Sequence, residues 1–235
     1  MKTITQSACT LIGAAVLAAG LTAPAHAALS EKEKSIVPIA ALTAAGNEAA
    51  LRSALEKGLG NGLTVNEIRS VLEQMYAYAG FPRSLTGLGV FVKLLDERAS
   101  QGIHDNRGRE ATPLPEGTSI RELGTKTQTA LVGRPVSGPV YELSPNIDTY
   151  LKEHLFGDIF ANDLLNWRER EIATVSALAA LPAPAQLKSH LNVCLNVGFT
   201  PADLAEFADL VKDATSEETG QLAARTVDEV VKARK

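Results

Sequence analysis

Residues 165–204 read LNWREREIATVSALAALPAPAQLKSHLNVCLNVGFTPADL, and residues 29–68 read LSEKEKSIVPIAALTAAGNEAALRSALEKGLGNGLTVNEI. Set against each other at an offset of 136, the two stretches align without a gap and are identical at 13 of 40 positions. Composition alone would give roughly four, so the chain carries an internal repeat. The shared unit has the punctuation of helices. Ser30 and Asn166 stand where N-caps belong, each followed three residues later by Glu33 or Glu169 in a capping-box arrangement. Apolar residues recur at helical spacing after each cap, Ile36, Ile39 and Leu42 in one copy and Ile172, Val175 and Leu178 in the other. Gly46-Asn47 and Pro182-Ala183-Pro184 interrupt the pattern, and a leucine-spaced second helix follows. Gly62 and Gly198 fit left-handed positions after that helix, and Thr64 and Thr200 cap the next.

Outward from the repeat, the chain predicts an all-α fold. Two tandem helical units are expected at 28–99 and 150–235, joined by a connection at 100–149 that is rich in Gly, Pro and Thr, lacks sustained periodicity and reads as mostly irregular. Tyr150–Phe160 resumes an amphipathic helical pattern, and after Thr215 a last helix is expected with Glu218 at capping-box distance. Aromatics make up 5% of the chain, while small and straight side chains of good helix propensity abound, which suits closely packed helices.

The first 27 residues read as an export signal. Lys2 is followed by the uncharged stretch LIGAAVLAAGL at 11–21 and by Ala25-His26-Ala27, a small-x-small cleavage pattern. The mature protein is expected in the periplasm or outside the cell, without a membrane anchor. Removal of the signal leaves 22 basic and 27 acidic side chains and Cys194 as the sole thiol, so no disulfide can form within one mature chain. No Lys/Arg stripe is present to follow a phosphate backbone, which argues against a nucleic-acid partner.

The segment Leu63-Thr64-Val65-Asn66-Glu67-Ile68 with Tyr76-Ala77-Tyr78-Ala79-Gly80-Phe81-Pro82 resembles one signature block of the carboxymuconolactone decarboxylase family. Arg168-Glu169-Arg170-Glu171-Ile172, His190 and Asn196-Val197-Gly198-Phe199-Thr200 resemble another. The resemblance spans about 150 residues and implies the all-helical fold shared with the alkyl hydroperoxidase D proteins, homo-oligomeric assembly with a trimer as the natural expectation, and cofactor-independent chemistry on a small carboxylated or lactone-like molecule. In the peroxidase branch a Glu, a Cys-x-x-Cys pair and a His share one block. Here Glu171 and His190 keep that spacing, but Ala183 and Gln186 stand where the cysteines would be.

Glu171 and His190 are therefore the expected acid–base pair. A carboxylate holds an imidazole in one tautomer and stabilises its cation, which suits proton transfer. The plainer alternative is a structural pair joining two helices. The repeat supplies a control, because the equivalent positions in the first copy are Ser35 and Ala54, so the fold itself does not demand a Glu and a His. Substrate contacts are expected from Arg83, Tyr76, Tyr78 and Glu73 around the Gly80-Phe81-Pro82 turn, and from His154. Arg83 would pair with a substrate carboxylate. Cys194, four residues beyond His190, keeps open a hydroperoxidase-like antioxidant reading with an external thiol, and a non-catalytic binding or assembly role is the third reading. His190 and Cys194 offer only two ligands on one helix face, so no metal is expected.

Overall fold

The caps written in the sequence open the helices where the repeat places them. The computed structural model describes residues 29–234, and the signal-peptide reading of residues 1–27 lies outside that range. The first repeat comprises α1 (Glu31–Ala45), α2 (Glu48–Gly60), α3 (Val65–Gln74) and α4 (Tyr76–Ser100). The connection holds α5 (Ile120–Val132) and two five-residue helices, α6 (Pro139–Leu143) and α7 (Pro145–Thr149). A π-helix (Tyr150–Ile159) leads into the second repeat, α8 (Trp167–Ala180), α9 (Pro184–Asn196), α10 (Pro201–Ala214) and α11 (Glu217–Ala233). Shifting α1, α2 and α3 by 136 residues lands on the first residues of α8, α9 and α10.

Reciprocal capping boxes form at Ser30/Glu33, Thr64/Glu67, Asn166/Glu169 and Thr200/Asp203. Each satisfies two of the amides that a helix start leaves without partners. Gly62 and Gly198 take φ of 92° and 94°, a backbone region that glycine enters at no steric cost. The last helix departs from expectation: Ser216, not Thr215, is its cap, accepting from the Thr219 amide, while Thr215 closes α10.

The core is built on α1 and α8, which pack against each other across the two repeats. Both are buried on nearly every side, polar side chains such as Arg170 and Glu171 included. Two polar ties cross this junction. Gln74 on α3 donates to the Arg170 carbonyl (2.9 Å) and Thr174 Oγ1 (3.0 Å), and its own carbonyl accepts from the Arg170 guanidinium (3.0 Å). Arg168 pairs with Glu33 (2.9 Å) and lies over the Phe199 ring at 3.9 Å.

The connection is irregular up to Ser119 and again at 133–138. The stretch up to Ser119 is nevertheless tied to both repeats: the amides of Val65 and Asn66 donate to the carbonyls of Asn106 and Arg107, and Asp163 accepts from the amide and hydroxyl of Thr112. After Ser119 three helical segments, α5, α6 and α7, stand within the connection, structure that the reading of 100–149 did not place. The buried stripe of α5 is Gly124, Thr127, Gln128 and Leu131, helical in spacing but polar in composition, and so silent in a hydrophobic pattern. Tyr150–Ile159 winds wider than the expected α-helix, with the Phe160 amide reaching back to the Leu155 carbonyl (2.9 Å). The backbones of α5 and the π-helix nearly touch. A Cβ on Gly124 would lie 1.6 Å from the Lys152 carbonyl oxygen, and one on Gly157 would lie 2.6 Å from the Ile120 side chain.

Candidate active site

Glu171 stands one turn into α8, on the side facing α9, because the capping box at Asn166 fixes where that helix starts. His190 stands midway along α9, which Pro184 starts. The hairpin brings the two together: His190 Nδ1 lies 2.9 Å from Glu171 Oε2. Glu171 is fully buried, whereas the His190 side chain keeps 19% of its exposure. With Nδ1 engaged by the carboxylate, Nε2 is the nitrogen left for a reacting molecule. The other carboxylate oxygen, Glu171 Oε1, is buried without a hydrogen-bond partner.

The pair borders a cavity of about 540 Å³, within the range of small-molecule sites. One wall is apolar, formed by Leu131 of α5, Leu155 and Phe156 of the π-helix and Val193 of α9. The mouth is cationic, with exposed Arg134 and Arg234, and among the described residues Glu171 is the one carboxylate side chain in the lining. That excess of positive charge is local, since the whole chain carries a formal charge of −4. Arg234 is held in place over α9 by the Asn192 carbonyl (2.8 Å) and by Asn196 Oδ1 (2.9 Å), and Asn196 in turn donates to the Leu131 carbonyl (2.8 Å).

Of the residues expected at the site, Glu171, His190 and Tyr78 come together. Tyr78 of the first repeat reaches across to set its ring edge-on to His190, with centroids 5.8 Å apart. Its hydroxyl is buried beside Thr174 and does not reach the cavity lining, and burial together with the Glu171 charge pushes its ionisation far up. Arg83, Glu73, Tyr76 and His154 are placed elsewhere. The Arg83 guanidinium lies over Gly46 at the end of α1, because the Gly80 kink (φ 80°) aims the start of the following helical segment there. Glu73 is half-exposed and pairs with Arg69 (3.6 Å), with partial burial raising its carboxyl above the ordinary range. Tyr76 stacks on Phe81 at 4.3 Å and tilts against His154, which bonds Asp158 within its own helix (2.8 Å). None of the four lines the cavity.

Cys194 is fully buried beneath α9, and burial, with the Glu171 charge beside it, pushes its thiol well above the usual range. The sequence reading overlooked Gln128, Arg134 and Arg234. It also passed over Arg170, whose buried guanidinium is satisfied by the neutral acceptors Gln74, Ser70 and Asn162. The one available signal for Gln128 was its helical spacing from Gly124 and Leu131.

The first repeat holds a counterpart. A smaller cavity of about 380 Å³ is lined by Ser35 and Ala54, the equivalents of Glu171 and His190, together with Lys34, Lys57 and Asn61. There Ser35 Oγ accepts from Asn61 (3.0 Å), and no imidazole stands among the described residues of the lining. Both halves thus build a hollow beside the same hairpin, and only the second pairs an imidazole with a carboxylate.

Compared with known families, the chain matches the Carboxymuconolactone decarboxylase family over residues 12–93 and 145–216, about two thirds of its length. It belongs to the carboxymuconolactone decarboxylase family. Each match falls on one helical repeat, the first ending within α4 and the second before α11, and the second contains both Glu171 and His190 of this family member. The first match begins within the stretch read as an export signal. The segment 94–144, which includes α5, lies between the matches, and Arg234 lies beyond the second. A search among curated proteins gave no match. Among the described residues of this decarboxylase-family chain, no helix is long and apolar enough to cross a membrane.

Proposed function

We propose that the protein is an exported, cofactor-independent acid–base catalyst that acts on a small carboxylated or lactone-like molecule. The observation that carries this reading is the 2.9 Å contact between His190 Nδ1 and Glu171 Oε2 at the edge of an apolar-walled cavity whose mouth holds two arginines. Arg134 and Arg234 take the role first expected of Arg83 and hold a carboxylate. In a decarboxylation, the bond between the carboxyl group and the adjacent carbon breaks, carbon dioxide leaves and the electron pair passes into an enolate. The imidazolium of His190 then delivers its Nε2 proton to carbon, while Glu171 holds Nδ1–H. Solvent restores the proton to Nε2. Tyr78, edge-on to His190, keeps the imidazole ring in place.

In this reading 28–99 and 150–235 form one catalytic body, the first unit supplying Tyr78 and the second the acid–base pair. In this reading the chain assembles as a homo-oligomer, with a trimer as the expectation that the family resemblance supports. The antioxidant reading through Cys194 lacks support, because a thiolate is the reactive form and that thiol is fully buried with its ionisation suppressed.

The test is proton exchange. Small cyclic carboxylates and lactones are incubated with the protein in deuterium oxide, and deuterium entering the carbon beside the carbonyl is followed by NMR. His190→Ala and Glu171→Gln should each slow that exchange by about 10²–10⁴-fold. For His190→Ala, helicity and melting temperature should stay almost unchanged. Exchange that persists in His190→Ala sinks the mechanism.

A further inference from the structure

The proposed acid–base pair belongs to the family-matched second repeat, yet much of the cavity wall comes from segments outside the matches. Gln128 is the notable contributor. It is 4% exposed, it lines the cavity from α5, and its Oε1 is buried without a hydrogen-bond partner. A buried amide oxygen left unpaired costs about 1–3 kcal/mol, so its retention there calls for an occupant. A second unpartnered buried oxygen belongs to the same cavity lining, Glu171 Oε1. Gln128 Oε1 and a carboxylate oxygen accept only, so the missing partner is a donor.

The surroundings restrict what brings that donor. Leu131, Leu155 and Phe156 present an apolar surface suited to a hydrocarbon ring, and the arginines at the mouth suit an anionic group. Taking the proposed active site as given, we infer that Gln128 is a specificity-determining contact that selects a hydroxylated small carboxylate by accepting a hydrogen bond from its hydroxyl group. α5 is thereby more than a connection: it supplies recognition to a catalytic pair housed in the repeat. Its placement is rigid, because the Gly124–Gly157 crossing seats it on the π-helix and Asn196 ties its last turn to the helix that carries His190.

Isothermal titration of the full chain with three kinds of probe tests the assignment: 3- and 4-hydroxycyclohexanecarboxylate, cyclohexanecarboxylate and cyclohexanol. At least one hydroxy acid should bind about tenfold more tightly than the plain acid, as one added buried hydrogen bond implies. Cyclohexanol, lacking the anion, should bind more weakly than that hydroxy acid. Gln128→Met, close to glutamine in shape, should erase the hydroxyl advantage and leave cyclohexanecarboxylate within about twofold. The inference is overturned if no probe binds, if the wild-type protein ranks the plain acid equal to both hydroxy acids, or if Gln128→Met weakens all probes alike. The wild-type ranking decides the matter even where the variant fails to fold. Binding is read without turnover, so loss of hydroxyl discrimination in the wild-type protein condemns the role of Gln128, whereas exchange surviving in His190→Ala condemns the acid–base mechanism.

Discussion

The Cys194 thiol lies four residues beyond His190, but the helix turns it inward, where it is fully buried and near the Glu171 charge. Both effects disfavour a thiolate, so the native protein should resist iodoacetamide at pH 8.5 and react only once denatured. Peptide mapping by mass spectrometry reads the modified fraction at Cys194 directly, and rapid native alkylation would show that the helix opens often enough to expose it. Glu171 and His190 were legible in the sequence because their absence at Ser35 and Ala54 showed that the scaffold did not require them. Arg83 was misread for a local reason: it follows a turn motif, but the Gly80 kink delivers its side chain to the end of α1. Short-range motif position says nothing of which helix end a long side chain will reach.

The elements divide in the same way. α1, α2, α3 and their copies were legible from caps, interrupting residues and leucine spacing, because those features act locally and twice. α5 was not, since its packing relies on a glycine and a polar stripe instead of a hydrophobic face, and Tyr150–Ile159 was legible as a helix but not in its wider winding. That packing yields a prediction. Gly124→Ala puts a methyl group on the Lys152 carbonyl, so the π-helix must move away from α5. Overpacking of this kind costs about 1–3 kcal/mol. The displaced wall should also cost ligand affinity, although Gly124 touches no ligand. Chemical denaturation and titration of the same sample read the two effects together, and unchanged affinity would mean that the wall is not part of the site. Asp163 anchors the irregular part of the connection, and hydrogen bonds from the Thr112 amide and hydroxyl, with Arg109 alongside, hold its carboxyl well below the ordinary range. A carboxylate lowered in this way stabilises the fold above its unfolded pKa of about 3.9, and that contribution disappears as pH falls through the lower folded value. Asp163→Asn should therefore melt earlier than wild type at pH 7, and the gap should begin to narrow below about pH 4 and keep narrowing as the pH falls toward the lower folded value. A constant gap across that range would show that the clip acts through shape and not through charge.

Taken whole, the molecule is a repeat in which one half has kept or gained what the other lacks, and this separates the contribution of the pair from that of its surroundings. Ser35→Glu with Ala54→His puts both groups onto α1 and α2 at the positions that α8 and α9 give Glu171 and His190. The smaller cavity is already present there, and Asn61, which now bonds Ser35, is positioned to meet a new carboxylate. What the first half lacks is the wall. Its hollow is closed by the end of α10, where Leu210, Asp213 and Ala214 stand in place of α5 and the π-helix, and Glu31 and Asp213 bring negative charge to a lining that has two lysines. If recognition resides in α5 and the cationic mouth, an imidazole and a carboxylate transplanted into the first half of a His190→Ala protein will form their contact and still transfer no proton to carbon. Deuterium exchange into the cyclic carboxylates used above measures the outcome, with NMR of the new imidazole confirming that the pair has formed. Recovery of more than about a tenth of the wild-type rate would mean that the pair suffices in any hollow of this fold, and that the segment between the repeats has no part in choosing the substrate.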